Sequence, residues 1–235
     1  DWDGKPHLAD LLEELCKLDF HWIRLHYLYP EWIDDRLIDV IAREDKILKY
    51  LDIPLQHCND KILKKMNRRG DKKYLCALLD KLRERIPGLV LRTSIIAGLP
   101  GEGEEEFDEL CDFLREQKLL RAGVFPYSPE EGTRAAKMAR VDSDEAARRA
   151  ERIVDIQSEI IDAWNDERQG DVMEVLCEGF DGQSMLFVGR SYAESPDIDG
   201  RIYFSAPRDV AAGEFVPVRI TGAMDGELTG ELAEE

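Results

Sequence analysis

The sequence predicts an α/β half built on a parallel sheet, followed by a small antiparallel β-barrel. Three observations carry this prediction. Up to about residue 169, stretches with apolar residues every three or four positions alternate with short continuous apolar runs, so helices alternate with strands and no hairpin signal intervenes. Those runs are apolar throughout, as expected of strands covered on both faces, and each parallel connection needs a crossover that a helix supplies. From about Gly170 the periodicity drops to two, in runs broken by Gly, Pro and Asp. The expected units are therefore residues 1–169 and 170–235.

Taken in order, "HLADLLEELCKLD" places Leu8, Leu11, Leu12, Leu15 and Leu18 on one helical face. "HWIRLHYLYP" is rich in aromatic and β-branched residues and reads as a strand stopped by Pro30. "IDDRLIDVIARED" is helical, with Asp34 near its start, where the helix dipole favours an anion. Tyr50 to Leu55 reads as the next buried strand, Asp60 to Asn67 and Lys73 to Ile86 as helices, and Leu89 to Pro100 as a third strand. Glu104 to Gln117 is helical, "LLRAGVFPYSPEEGT" supplies a fourth strand, and a charged helix runs from about Ser143 to Arg168. Beyond it, "DVMEVLCEG", "SMLFVGRSY", "RIYFSA" and "FVPVRITGA" are short strands of a five-stranded barrel of the oligonucleotide-binding type.

Composition narrows the class. The 235 residues are 43% hydrophobic and 35% charged, with no apolar stretch long enough for a membrane span, so no membrane partner and a cytoplasmic location are expected. Five cysteines, Cys16, Cys58, Cys76, Cys111 and Cys177, lie too far apart in sequence for a metal-ligand or redox pair and suggest a reducing compartment. The chain opens on Asp1-Trp2-Asp3-Gly4, without a start Met or leader, and reads as part of something longer. Net charge is −18, and residues 171–235 hold fourteen acidic residues against four arginines. So negative a segment attracts cations or basic proteins, and free RNA is not expected to bind it.

In parallel α/β sheets, ligands bind at the carboxyl ends of the strands. Those ends read Tyr27-Leu28-Tyr29-Pro30, Gln56-His57, Gly98-Leu99-Pro100-Gly101-Glu102 and Tyr127-Ser128, all polar or backbone-exposing. Two readings of Gln56-His57 stand side by side: they satisfy backbone groups where a strand stops, or they face a ligand. Gly98 and Gly101 either make a tight turn or let a ligand approach the main chain.

The stretches "KYLDIPLQHCNDKILKKMNRRG", "PGLVLRTSIIAGLPGEGEEEFDEL", "RAGVFPYSPEEGTRAAKM" and "WIRLHYLYPEWIDDRLIDVIA" closely resemble radical-SAM methylthiotransferases, and most of all their ribosomal-protein branch. "PDIDGRIYF" resembles the TRAM domain that closes these enzymes. The resemblance implies a partial, open β/α barrel of radical-SAM type, of which strands three to six are present. It implies an enzyme that uses S-adenosylmethionine and [4Fe-4S] clusters to place a methylthio group on the β-carbon of an aspartate in small-subunit ribosomal protein twelve. The family's CxxxCxxC cluster loop does not occur, so the chain is expected to be the C-terminal portion of the enzyme, inactive alone, with no catalytic residue or metal ligand assigned.

The resemblance further implies that Gln56 and His57 contact S-adenosylmethionine and that Arg92 faces its carboxylate. Ser94 and the Gly98 backbone would lie along the nucleoside, with Phe125 and Tyr127 on the last strand contacting adenine or substrate. The partner it implies is a basic small-subunit ribosomal protein, drawn by the acidic barrel. Two other readings remain: a transfer-RNA adenosine methylthiotransferase, whose terminal domain should be basic, and a non-catalytic acidic module that grips a basic protein.

Overall fold

The computed structural model describes residues 6–233; the opening Asp1–Gly4 stretch and the terminal Glu234 and Glu235 lie outside them. By its contacts the chain divides into two compact units, one ending at Gln157 and one beginning at Ser158.

The first unit alternates helix and strand: α1 (Leu8–Cys16), β1 (Ile23–Leu25), α2 (Asp35–Arg43), β2 (Ile47–Asp52), α3 (Asp60–Lys65), α4 (Lys72–Arg85), β3 (Val90–Ala97), α5 (Glu104–Gln117), β4 (Arg121–Pro126) and the start of α6 (Ser143–Glu167). Its four strands form one parallel sheet in the order β1-β2-β3-β4. Helix starts follow local chemistry, since Asp34 accepts from the Leu37 amide at 2.8 Å, Asn59 from Lys61 and Ile62, and Asp71 from Tyr74 at 2.7 Å. The helices bury Leu37, Ile38, Ile41, Ile62, Leu79, Leu82, Phe107, Leu110 and Phe113, all at 3% exposure or less.

The register fixes the two faces. Asp52, Arg92 and Arg121 pair across β2, β3 and β4, so they form one row, and Ser94 pairs with Gly123 and Ile96 with Phe125 further along. The alternate positions Leu51, Leu91, Ile95 and Ala97 are buried on the opposite face. A charged row inside a buried sheet is therefore a property of one face only.

Two strand limits differ from the sequence expectation. The run around Trp22 to Pro30 contributes only Ile23–Leu25 to the sheet, because Tyr27 takes φ +59° and breaks the pleat. The second strand begins earlier, at Ile47, and ends at Asp52, with Gln56 rejoining the sheet as a single bridge to Ile95.

The second unit is a closed barrel of β5 (Val172–Asp181), β6 (Leu186–Arg190), β7 (Ile202–Ser205), β8 (Phe215–Met224) and β9 (Glu227–Leu232), in the order β5-β6-β7-β9-β8. Four of its pairings are antiparallel and β7 with β9 is parallel. Val175, Cys177, Ile202, Phe204, Val216, Val218 and Ile220 fill it, and Phe187 stacks on Phe204 at 5.6 Å. Two glycines allow the strands to close: a Cβ on Gly189 would lie 2.5 Å from the Leu176 carbonyl oxygen, and one on Gly230 2.5 Å from that of Arg219. This unit takes the last turns of α6 as well, where Asn165 donates to the Gly226 carbonyl at 3.0 Å and Trp164 packs on the core.

Candidate active site

Past Asp52 the chain stays extended and is stitched to β3. The Ile53 amide donates to Arg92 O, Leu55 to Thr93 Oγ1 and Gln56 to Ser94 O, while Ile96 donates to Gln56 O. Gln56 holds φ +61°, a region that costs a glutamine on the order of 1–3 kcal/mol unless its surroundings enforce it. Its Oε1 is shielded from solvent and has no hydrogen-bond partner. Across the sheet, Tyr127 continues β4 by donating its amide to Ala97 O at 2.8 Å, and its hydroxyl is likewise enclosed and unpartnered. Ser94 is half-buried between them, and Phe125 is 53% exposed at the rim. Gly98, at φ +81°, has no room for a side chain, since a Cβ would lie 2.6 Å from that of Ala146.

Below this mouth lies the charged row. Arg92 Nη1 meets Asp52 Oδ2 at 3.0 Å, with Asp52 wholly buried, and His26 Nδ1 stands 3.8 Å from the same oxygen. Arg24 lies over the Tyr50 ring at 4.3 Å and His26 meets that ring edge-on. Arg92 Nη2 would be 3.3 Å from a Cβ on Gly123, so the missing side chain leaves room for that end of the guanidinium.

His57 is used differently from the sequence expectation. It is fully buried; its Nδ1 accepts from the Asn59 amide at 3.0 Å, and its Nε2 lies 3.4 Å from Glu102 Oε2. Glu102 also accepts from the Gly98 amide at 2.9 Å, the Leu99 amide at 3.3 Å and Arg149 Nη1 at 2.8 Å. Burial pushes the Glu102 carboxyl up, but the His57 and Arg149 side chains and the Gly98 amide together hold it below its ordinary value. His57 thus lies behind the Gly98–Glu102 loop with its Nε2 toward the Glu102 carboxylate.

Of the expected residues, Gln56, Ser94, Gly98, Phe125 and Tyr127 gather at the strand ends; Arg92 sits deeper, and His57 behind the loop. Sequence reading gave no role to Asp52, Glu102 or Arg149. The signal was present: an acid inside the apolar run ILKYLDIPL must be paired if that run is buried. Two enclosed polar atoms awaiting partners and an exposed ring suit a nucleoside bearing charged groups, as S-adenosylmethionine does, whereas Gly98 is buried against Ala146 with its amide held by Glu102 and offers no open backbone. An iron–sulfur cluster does not fit the residues present: among those described, no three His, Cys, Asp or Glu side chains are placed to hold a metal, and burial drives the Cys58 thiol well above its ordinary value.

Residues 3–114 match the Radical SAM superfamily and residues 170–233 the TRAM domain. The structure of coproporphyrinogen III oxidase from Escherichia coli, described as a radical SAM enzyme, superposes with a TM-score of 0.54 at 20% identity, covering 67% of this chain and 39% of that one. Fold and strand-end site thus define a radical SAM core segment that ends in a TRAM barrel.

Over nearly its whole length the chain is similar to curated methylthiotransferases. It is 46% identical over 234 residues to the ribosomal protein uS12 methylthiotransferase RimO of Symbiobacterium thermophilum, an alignment of 98% of this chain and 48% of that protein. It is 43% identical over 237 residues to the protein of the same name from Acetivibrio thermocellus, covering 100% and 52%, and 47% identical over 237 residues to that from Anaeromyxobacter sp., covering 99% and 50%. The chain thus spans about half the length of the curated relatives it matches.

Proposed function

We propose that this chain is the C-terminal part of a cytosolic methylthiotransferase that modifies the β-carbon of an aspartate in the small-subunit ribosomal protein uS12. The observation that carries the reading is the 41–47% identity, over at least 98% of the chain, to relatives of that name. The two enclosed, unpartnered polar atoms at the strand ends support it independently.

Bound S-adenosylmethionine, with a cluster held by other cysteines, supplies the power to remove hydrogen from an unactivated carbon, which no side chain can do. The chain's own residues position it. Gln56 Oε1 and Tyr127 OH offer an acceptor and a donor to its polar groups, Ser94 lines the nucleoside, and Phe125 covers a ring. Arg92 keeps one end of its guanidinium on Asp52 and turns the other toward the cofactor carboxylate. Asp52 thereby orients the fork. His57, Glu102 and Arg149 hold the Gly98 loop to shape.

The acidic barrel supports a basic protein partner and argues against a transfer-RNA substrate, because a phosphate backbone would be repelled. Among the described residues no helix is long and apolar enough to cross a membrane.

Calorimetry on the full-length enzyme tests the assignment. Arg92→Lys and Gln56→Ala should each weaken S-adenosylmethionine binding, the former by ~1.5–3 kcal/mol, the usual worth of a hydrogen bond to a charged group. Unchanged affinity in both would remove the cofactor from these strand ends. This chain alone, reconstituted anaerobically with iron and sulfide, should form no cluster and release no 5′-deoxyadenosine.

A further inference from the structure

Within a chain of net charge −18, residues 60–73 carry seven basic side chains and two aspartates. Both aspartates are committed to backbone: Asp60 Oδ1 accepts from the Lys72 amide at 2.8 Å and Asp71 Oδ1 from the Tyr74 amide at 2.7 Å. Lys61 and Lys72 pair with Glu106 and Glu109. Lys64, Lys65, Arg69 and Lys73 are exposed, and among the described residues none of the four, nor Arg68, has a carboxylate partner.

This segment meets the turn after β1. Tyr74 OH donates to Pro30 O at 2.9 Å, and the Arg68 guanidinium lies over the Tyr29 ring at 5.4 Å. Lys65 reaches the other way, its ammonium against Gly101. The turn carries Tyr27, Tyr29 and Trp32, exposed by 67%, 55% and 54%. Tyr27 does so at φ +59°, a conformation that is costly for a bulky residue and brings its ring no burial. Tyr29 and Trp32 share the wall of a cleft of about 140 Å³.

Cations free of ion pairs in a segment whose Arg68 lies over Tyr29, with Tyr27 and Trp32 exposed on the same turn, match one ligand chemistry: phosphates for the cations and unpaired bases for the rings. An acidic peptide would use the charge and leave the rings idle; a duplex has no bases free to stack. We propose that this strip, formed by Tyr27, Tyr29, Trp32, Arg68 and Arg69, binds single-stranded RNA at the mouth of the core. The inference concerns binding alone and does not require the methylthiotransferase reading. The acidity that keeps RNA off the barrel leaves this strip as the place of contact.

Fluorescence anisotropy with a short labelled oligoadenylate RNA and the full chain tests it. Binding should weaken steadily with the logarithm of salt concentration. Arg68→Glu with Arg69→Glu should lower affinity by about tenfold or more and flatten the salt dependence. Tyr29→Ala should lower it by roughly tenfold with the salt dependence kept. Lys17→Glu with Arg115→Glu, exposed positions off the strip that change net charge equally, should leave affinity as it was. The proposal falls if RNA does not bind at low salt, if the two charge-reversed pairs behave alike, or if the protein prefers phosphatidylserine vesicles to RNA.

Discussion

Glu102 is the residue on which the loop at the mouth depends. It is 3% exposed and gathers two backbone amides, a guanidinium and an imidazole. Removing one member of a buried charged set leaves the others unpaired, so Glu102→Ala should lower unfolding free energy by about 3–5 kcal/mol, measured by urea titration. A loss under about 1 kcal/mol would show the network to be dispensable. The carboxyl sits below its ordinary value when folded, so its contribution is present above the unfolded carboxylate value and is lost as pH falls through the folded one. Stability of the wild-type chain should therefore drop through the acid range more steeply than that of Glu102→Gln. At this scale the sequence was half legible. "QH" after an apolar run announced polar groups at a strand end, but whether His57 faces a ligand or a carboxylate depends on which way the loop after β3 returns.

At the level of elements, the helices were the most readable, because their apolar stripes and caps are local. α5 spans the stretch expected for it, and Lys118 closes the helix at φ +43°, a position that suits glycine. Lys118→Gly should therefore stabilise the core by about 0.5–1 kcal/mol, read as a rise in melting temperature. The barrel makes the opposite prediction at Gly230. A Cβ there meets the Arg219 carbonyl oxygen and the Val218 side chain, neither of which can yield without opening β8 from β9, so Gly230→Ala should destabilise by about 2 kcal/mol or more. β9 escaped the sequence reading because "ELTGEL" is polar and interrupted by that glycine. Its parallel pairing with β7 was equally hidden, since a period of two reports which face a residue takes but not which strand lies beside it.

Across the whole molecule, charge is unevenly placed, and composition showed only half of that. The excess of acid in residues 171–235 was visible; the strip at residues 60–73 was averaged away by the total. In the barrel, Asp209, Asp225 and Glu231 are exposed, whereas Asp199 and Glu227 are engaged in holding the Ser195 and Arg201 amides. Reversing Asp209, Asp225 and Glu231 to Lys in the full-length enzyme should slow capture of the basic ribosomal protein and leave cofactor cleavage unchanged. Stopped-flow rates that depend on neither salt nor these changes would reduce the acidity to an aid to solubility.

The cationic strip also bears on how the protein behaves on a column. A chain of pI 4.7 is fully anionic at neutral pH and, as a uniform body, should bind an anion exchanger and pass unretained through immobilised heparin. A local array of Lys64, Lys65, Arg68, Arg69 and Lys73 should let it bind heparin as well as an anion exchanger. Retention on heparin is thus set by a few side chains and not by the isoelectric point.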